Sequence, residues 1–467
     1  MKRVRIGNGC GFWGDNLDAP LRLAEAGNLN YLTLEYLAEL TMSILALQKA
    51  KNPDAGFATD FVDALGRLAP ILKQQPQLKI VTNAGGMNPR ACARQAKDVL
   101  AKAGVERRVA VVSGDDLLPR LDELFATGHT LNHIDTGEPL SSIRDKVVSA
   151  NAYLGARPIA DALKQGAEVV ITGRVADASL TVGPAAHAFG WGFGQADLDR
   201  LAAGTVAGHL IECGAQATGG LWVNADDSTR LSDVGYPIAE IVEDGTFTIT
   251  KPEGTGGAVN VETISEQLLY EVADPARYYT PDVVADFTTV KLTQERPDVV
   301  RVTGGTANGL TDTYKVSAAY RDGFMSAGTL VIAGPNAAWK ARRSGAIILD
   351  RLKQAGFTFA ESRVEVLGAG DCVPGVVPVR VDAAQPTQSG RVAASGEDPP
   401  EVVLRVAVRD PRKAAVERFT KVLAPLVTSG FPGTTGYTTG RPPVREVFAY
   451  WPALIAKSAV TPVVEVV

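Results

Sequence analysis

The stretch ITGRVADASLTVGP, residues 171–184, decides the fold of this chain. It continues an apolar run that starts at Val169, and a glycine, Arg174, Asp177 and Ser179 then follow. In an open parallel α/β sheet, a ligand binds beyond the carboxyl ends of the strands, where such small and polar residues lie. The stretch therefore predicts a buried parallel strand whose end faces a ligand site.

The same strand–turn–helix pattern recurs along the first half of the chain. Short apolar runs at 3–6, 31–34, 78–81 and 109–112 end in small or polar residues, and helical patterns follow. Regular alternation of strands and helices is typical of a parallel sheet with helices on both faces. We predict an α/β domain at residues 1–230, with a layered and mainly parallel sheet that carries most of the candidate site residues.

The second half has a different pattern. Two segments, 237–249 and 314–332, each contain an Asp-Gly pair between alternating apolar residues, which is the signal of a β-hairpin. We predict an α+β domain at 231–467 with hairpins. It also contains a Gly/Thr-rich loop, SGFPGTTGYTTGRPP at 429–443, of the kind that closes over a site. The alternative is an ordinary surface loop.

Composition excludes several classes of function. The 467 residues carry a net charge of −5, with acidic and basic residues interspersed, so we expect no nucleic-acid or membrane partner. The chain has no apolar run long enough to span a bilayer and no secretory leader pattern, and its four cysteines are scattered. We expect a cytoplasmic protein with reduced thiols, and base rates favour a homo-oligomer.

A series of motifs occurs in order over nearly the whole chain: IGNGCGFWGDN, YLTLEYLAEL, VTNAGGMNP, SANAYLGARPIA, VVITGRVADASL, GHLIECGAQATGG and KPEGTGG. Together they resemble the acyclic terpene utilisation family. The resemblance implies bacterial catabolism of branched terpenoid acids, such as citronellate and geraniate, through coenzyme A thioesters. It assigns no catalytic residue. Some relatives have a small additional carboxyl-terminal domain. The resemblance implies that a function which depends on that domain would need a separate small subunit here.

His133 and Asp135 are the first candidates for catalysis. They lie two residues apart in LNHIDTGEP, so an extended segment would place both on one face. Histidine is the usual side chain for proton transfer near neutral pH, and we expect this pair to transfer protons. The alternative is a loop in which Asp135 caps a turn and His133 bonds to the backbone.

Arg174 and Asp177 form the strongest pair in the sequence. The planar guanidinium of an arginine matches a carboxylate or phosphate in a two-point contact, so Arg174 is predicted to anchor an anionic substrate. Asp177 is predicted to be a catalytic residue of the same site. Its alternative roles are an ion pair with Arg174 or a cap on the helix that follows.

A second candidate group lies in GHLIECGAQ. Helical spacing would place His209, Glu212 and Cys213 on one face. One interpretation is a zinc or iron ligand set, another is an acid–base pair in which Glu212 orients a catalytic His209, and a third is simple core packing. We expect no bound metal here and place His209 among the catalytic candidates.

Glycine-containing loops supply the remaining binding candidates. Glu35 and Asn83 follow predicted strands, Gly85 and Gly86 belong to an Asn-Ala-Gly-Gly loop, and Lys251 precedes the Gly-rich segment 254–257; all five are predicted to contact the substrate.

The first of these loops, at 9–14, also fits the GxGxxG pattern of a dinucleotide site, with Glu35 at the position of a ribose-binding acid. The bulky Phe12-Trp13 pair argues against a pyrophosphate there, and we expect no cofactor.

These residues favour a lyase or hydratase that acts on a small branched acid or its coenzyme A thioester. Such a reaction needs an acid, a base and a cationic anchor but no redox cofactor. Two alternatives stay open: a non-catalytic assembly or regulatory partner of an acyl-CoA carboxylase, and a metal-dependent hydrolase. The preferred hypothesis requires that the predicted residues of the first domain meet around one pocket, namely Glu35, Asn83, His133, Arg174 and Asp177.

Overall fold

A computed structural model describes residues 2–373, 399–436 and 440–467. Residues 437–439 of the predicted Gly/Thr-rich loop lie outside the described residues. The strands are β1 Arg3–Asn8, β2 Tyr31–Leu34, β3 Lys79–Thr82, β4 Val109–Ser113, β5 Val147–Ala152, β6 Val169–Thr172, β7 Ile238–Val242, β8 Phe247–Thr250, β9 Tyr278–Tyr279, β10 Val284–Asp286, β11 Lys291–Arg296, β12 Val299–Thr303, β13 Thr306–Ala307, β14 Thr313–Ala333, β15 Glu361–Leu367, β16 Glu401–Asp410, β17 Thr434–Thr435, β18 Arg445–Ala456 and β19 Val463–Val466.

The helices alternate with these strands in the first half of the chain. They are α1 Ala19–Ala26, α2 Glu39–Lys51, α3 Thr59–Gln74, α4 Pro89–Lys102, α5 Leu121–Ala126, α6 Arg157–Lys164, α7 Ser179–Phe189, α8 Leu198–Glu212, α9 Val261–Leu269, α10 Ala337–Gln354, α11 Lys413–Phe419 and α12 Leu426–Ser429. Two compact units result: one contains the residues up to 320 together with 450–467, and the other contains 321–449.

The first unit is built on a mixed ten-stranded sheet. Its order is β11-β12-β8-β7-β1-β2-β3-β6-β4-β19. The central strands β1, β2, β3, β6 and β4 pair in parallel, while the flanking strands pair antiparallel. The predicted α/β class with a parallel core is confirmed. All five parallel strands therefore end at the same edge, where a ligand site is expected.

Apolar residues cover both faces of this sheet. In β4, Val109 and Val111 belong to one hydrophobic cluster, whereas Ala110 and Val112 belong to another. Successive side chains of a strand point to opposite faces, so a strand that is apolar throughout is covered on both sides. Helices α1, α3 and α4 contribute to one cluster, and α6, α7 and α8 contribute to the other.

The second unit contains antiparallel strands and helices. The second part of β14 pairs antiparallel with β16, which pairs antiparallel with β15. Helix α10 supplies Ala341, Ile348 and Leu352 to the hydrophobic cluster of this unit. The predicted antiparallel character of the carboxyl-terminal part is confirmed.

One of the two predicted hairpins is correct and the other is wrong. Strands β7 and β8 pair across the turn at Asp244-Gly245. In contrast, the segment 314–332 runs through the single strand β14. Gly323 has φ +85 there, and a Cβ on it would lie 2.8 Å from the carbonyl oxygen of Asp410. This glycine therefore allows a close approach of β14 to β16, and it does not form a turn.

Candidate functional site

A cavity of about 510 Å³ lies beyond the carboxyl ends of β1, β2 and β6, within the first unit. Its volume falls in the range of small-molecule sites. The ionisable lining consists of Arg174 and the carboxyl groups of Asp15, Glu35, Glu39, Asp177, Glu212 and Glu271, together with Cys213, Tyr236 and Tyr270. Apolar lining comes from Phe12, Leu37, Ala38, Ala215 and Leu221.

Arg174 is the buried cation of this cavity, only 2% exposed. Its Nη1 donates to Asp177 Oδ1 at 2.6 Å and to the carbonyl oxygen of Leu37 at 3.2 Å. The Cζ atom lies 4.1 Å from the centroid of the Tyr153 ring, in a cation–π contact. The Nε atom is buried and has no hydrogen-bond partner. A buried N–H group without a hydrogen-bond partner costs folding free energy, so this atom is suited to bind a ligand oxygen.

The backbone before Arg174 is fixed by a buried carboxylate. Asp115, which follows β4, accepts hydrogen bonds from the Arg174 N–H at 2.9 Å and from Asn151 Nδ2 at 2.8 Å. Burial raises the pKa of Asp115 to about 6, although the hydrogen bonds from Arg174 and Asn151 act in the opposite direction. A Cβ on Gly173 would overlap the Asp115 carboxylate, so only glycine fits between β6 and Arg174.

Gly173→Ala is therefore expected to lower the free energy of unfolding by about 1–3 kcal/mol, because the new methyl group displaces Asp115. The same displacement moves Arg174 and weakens ligand binding. Gly194→Ala is the matched control, since a Cβ on Gly194 meets no heavy atom within 4 Å. Chemical denaturation of both variants checks the prediction, which fails if the two lose the same stability.

Glu35 and Asn83 follow the neighbouring parallel strands β2 and β3 and bond to each other. Glu35 Oε1 accepts hydrogen bonds from Asn83 Nδ2 and from the Leu37 N–H, and Asn83 Oδ1 accepts one from the Tyr36 N–H. Glu35 Oε2 is buried without a partner. Burial and the charge of Asp177 raise the pKa of Glu35 well above its ordinary value, and Arg174 only partly opposes them. The raised pKa favours the protonated form of Glu35, which is the form that donates a proton.

Asp177 pairs with Arg174 and does not cap the following helix. Helix α7 begins at Ser179, and its N-cap residue Ala178 makes no side-chain capping bond. The Asp177 side chain is about one-third exposed and lines the cavity. Of the roles open to Asp177 in the sequence, the structure shows the ion pair.

The last turn of α8 places a buried histidine against a buried carboxyl group. His209 Nδ1 lies 3.2 Å from Glu212 Oε1, and the imidazole packs on Tyr278 and Phe287. Glu212 Oε2 and His209 Nε2 are both buried without a partner. Burial raises the pKa of Glu212 to about 7, with His209 opposing the shift. Glu212 lines the cavity, so it is able to accept a proton there near neutral pH.

Cys213 follows Glu212 and also lines the cavity. Burial, together with the charge of Glu212, raises the pKa of the Cys213 thiol to about 12. The sulfur is therefore protonated at neutral pH and is a poor nucleophile. Within the described residues, no group of three or more His, Cys, Asp or Glu side chains has the arrangement of a metal site.

Glu39 links the cavity to a second cation. It accepts a hydrogen bond from the Tyr153 hydroxyl at 2.6 Å and lies 3.4 Å from Lys315 Nζ. Burial acts to raise its pKa, but the Tyr153 hydrogen bond and the charges of Arg174 and Lys315 lower the pKa to about 2. Glu39 is therefore ionised and holds Tyr153 against the face of Arg174.

The first Gly-rich loop is closed by a carboxylate. Asp15 Oδ2 accepts the Gly11 N–H at 2.8 Å, and Asp15 Oδ1 accepts the Tyr236 hydroxyl at 2.5 Å. A Cβ on Gly11 would lie 2.7 Å from the carbonyl carbon of Cys213, which explains the glycine by close packing. The negative Asp15 side chain at the loop amide disfavours a pyrophosphate there. The bulky Phe12 side chain argues against a pyrophosphate in the same loop.

Residues 4–466 match the model of the acyclic terpene utilisation family protein AtuA. The chain belongs to this family. The resemblance predicted from the motifs is confirmed, and the AtuA family is implicated in the utilisation of acyclic terpenes. No curated protein and no solved structure matches the chain. Among the described residues, no helix has the length and apolar character needed to cross a membrane.

The structure of this AtuA-family chain brings together half of the predicted site residues. Glu35, Arg174 and Asp177 line the cavity. Asn83 and His209 each contact one of its carboxyl groups.

Gly85 and Gly86 do not line the cavity. A Cβ on Gly85 would lie 2.5 Å from the Thr172 carbonyl oxygen, and Gly86 has φ +48. Lys251 is also outside the lining, where its Nζ donates to the Thr255 carbonyl oxygen at 2.8 Å and pairs with Asp298 at 3.0 Å.

His133 and Asp135 lie in a turn outside the cavity lining. His133 Nδ1 accepts the Asp135 N–H at 3.1 Å, and its ring packs in a T-shaped arrangement with Trp451, with 4.9 Å between the ring centroids. Asp135 Oδ2 is 3.8 Å from His133 Nδ1 and its side chain is exposed. The expectation that His133 meets Glu35, Asn83, Arg174 and Asp177 around one pocket is therefore wrong for His133. The proton-transfer role of the His133–Asp135 pair stays a prediction from the sequence.

Several residues that line the cavity were not predicted from the sequence. Glu39 and Asp15 had a usable signal, because each lies shortly after a predicted parallel strand, Asp15 in the loop after β1 and Glu39 at the start of α2 after β2. Tyr236, Tyr270 and Glu271 had none, since they belong to connections far along the chain.

Proposed function

We propose that this protein is a lyase or hydratase that adds water to, or removes it from, a branched organic acid or its coenzyme A thioester. The observation that carries the proposal is a pair of buried carboxyl groups in one cavity. Glu35 and Glu212 each have one oxygen without a partner, and Arg174 lies in the same cavity. Acid, base and cation are the groups that addition of water to a conjugated double bond requires.

Glu35 is the proposed general acid. Burial raises its pKa and so favours the protonated carboxyl group, and its Oε2 is buried without a hydrogen-bond partner. In the hydration direction, the Glu35 proton passes to the carbon next to the carbonyl group, and the electron pair of the double bond forms the new C–H bond. Arg174 stabilises the negative charge that develops on the carbonyl oxygen in this step.

Glu212 is the proposed general base. Water donates one proton to Glu212 as its oxygen forms a bond to the β carbon of the substrate. Glu212 then releases that proton to solvent and Glu35 takes one from solvent, so the balance is the addition of one water molecule. The reverse sequence removes water. No redox step is involved, and we propose that no cofactor is needed.

The apolar part of the cavity suits a branched hydrocarbon chain. Leu37, Ala38, Ala215 and Leu221 line it beside the carboxyl groups. The experiment that tests the proposal is a mass-spectrometric screen of branched unsaturated and hydroxylated acids and thioesters with the wild-type protein and Glu212→Gln. We expect a mass change of one water molecule with the wild-type protein only. Equal conversion by both proteins contradicts the assignment of Glu212.

The pH profile tests the His209–Glu212 pair. With Glu212 as the base, kcat/KM should rise with pH through a midpoint near 7, the value to which burial raises the pKa of this carboxyl group. His209→Phe keeps the aromatic contact with Tyr278 and Phe287 but removes the interaction that lowers the Glu212 pKa, so the rising limb should move to higher pH.

The matched control is His187→Phe, a half-buried histidine near Lys79 that does not line the cavity. It should leave the profile unchanged. An unshifted limb in His209→Phe, with activity lowered at every pH by the same factor, would assign His209 a purely structural role.

A further inference from the structure

The mouth of the cavity contains an unusual leucine. Leu221 lines the cavity, yet the residue is 83% exposed. Its backbone has φ +66, a left-handed conformation that is uncommon for any residue other than glycine. An exposed apolar side chain on a strained backbone gains nothing from packing in the folded chain itself. Strain of this kind is concentrated at ligand-binding positions.

The strain persists because both neighbours of Leu221 are anchored. The Gly220 N–H donates to the carbonyl oxygen of Ala215 at 2.9 Å. On the other side, Trp222 Nε1 donates to Glu262 Oε2 at 3.1 Å, and the Val223 N–H donates to Glu266 Oε1 at 3.4 Å. Both acceptors lie on α9. The turn is therefore held in place, and the Leu221 side chain is directed by that framework and not by its own contacts.

Other features of the mouth support the same interpretation. Phe12, which is 58% exposed, and Tyr270 line the cavity as well. Glu271, next to Tyr270, has φ +60, so a second left-handed residue other than glycine lies in the lining. The polar groups of Arg174, Glu35 and Glu212 are buried deeper than these exposed apolar side chains. A substrate with its carbonyl group at Arg174 therefore extends its hydrocarbon end toward the mouth.

We infer that Leu221, together with Phe12, binds the apolar end of a long acyl chain and selects such chains over short ones. This inference rests on the proposed function for the orientation of the substrate. It adds a specificity element: Leu221 and Phe12 at the rim contact an acyl group whose hydrocarbon chain extends from the buried carboxyl groups to the rim. Contact with the chain would cover the exposed Leu221 side chain.

The test measures binding by calorimetry and needs no turnover. The probes are N-acetylcysteamine thioesters of dihydrocitronellate, a long branched acid, and isobutyrate, a short one; neither contains a double bond to hydrate. Leu221→Gly removes the side chain and relaxes the backbone, and Leu221→Asn keeps a residue that tolerates the left-handed conformation but is polar. Val223→Gly is the matched control, because Val223 is 78% exposed on the same segment but does not line the cavity.

We expect both Leu221 variants to lose affinity for the long probe by about tenfold or more. Their affinity for the short probe should be unchanged. Val223→Gly should bind both probes with unchanged affinity. Leu221→Gly should unfold at or above the wild-type temperature. An unchanged ratio of the two affinities overturns the inference, as does a wild-type protein that binds neither probe. A changed sedimentation coefficient with unchanged affinity also overturns it and assigns Leu221 to an interface between copies. Binding as expected without hydration of any unsaturated thioester refutes the proposed function alone.

Discussion

Arg174→Met is expected to lower kcat/KM by about 10²–10³-fold, the effect of removing one preorganised donor from a developing oxyanion. The long apolar side chain of methionine fills most of the volume against Tyr153 but offers no N–H group. Asp177 and the Leu37 carbonyl group lose their donor, so the free energy of unfolding should fall by about 1–3 kcal/mol. Steady-state kinetics on a substrate found by the screen, with denaturation in parallel, measures both effects.

Arg107→Met separates these two effects. Arg107 is as buried as Arg174, with its side chain 4% exposed, and it pairs with Glu168 at 2.8 Å. It also donates to the carbonyl oxygens of Leu72 and Gln75 and does not line the cavity. We expect Arg107→Met to lose stability without losing kcat/KM. Equal loss of activity in the two variants would show that Arg174 acts only through stability.

Glu35→Gln is expected to lower kcat by about 10²–10⁴-fold and to stabilise the protein at neutral pH. The amide oxygen of glutamine is still able to accept from Leu37 and Asn83, but the proton donor is lost. The pKa of Glu35 is raised in the folded protein, so its carboxyl group contributes its full stability below the unfolded pKa of about 4.5. That contribution is lost as pH rises toward the folded pKa. The variant should therefore gain stability over the wild type as pH rises above 4.5.

Thermal unfolding over a range of pH measures this gain. Asp282→Asn is the control, because burial raises the pKa of Asp282 to about 6 while its carboxylate accepts the Ala156 N–H at 2.7 Å, and it does not line the cavity. The control should show pH-dependent stability relative to the wild type and unchanged kcat. A Glu35→Gln variant that loses stability uniformly with pH would contradict a protonated Glu35.

The parallel core of the fold was predictable from local patterns. Strands β2 and β6 and their neighbours are continuous apolar runs that end in small or polar residues, and strands buried on both faces need such runs. The predicted hairpin at 314–332 was wrong because an Asp-Gly pair occurs in two different structural settings. A positive φ serves a turn at Gly245, whereas at Gly323 it accompanies close strand approach.

The candidate site was predictable where its residues follow parallel strands or share one helix face, as His209 and Glu212 do. Glu35, Asn83 and Arg174 could be grouped because the carboxyl ends of parallel strands lie at one edge. Leu221 and Tyr270 reach the cavity from connections between other elements, and nothing in their local sequence fixes that position. The absence of a hydrogen-bond partner at Glu35 Oε2 and at Arg174 Nε also depends on tertiary structure, so no sequence pattern predicts it.

The central claim is that Glu35 and Glu212 catalyse addition and removal of water in one cavity. Incubation of α,β-unsaturated thioesters of branched acids such as geraniate in D₂O enriched in ¹⁸O, followed by mass spectrometry, tests it most directly. We predict deuterium at the carbon next to the carbonyl group and ¹⁸O at the β carbon with the wild-type protein, and neither label with Glu35→Gln or Glu212→Gln. Recovery of every substrate unlabelled with the wild-type protein, or equal labelling by both variants, would contradict the claim.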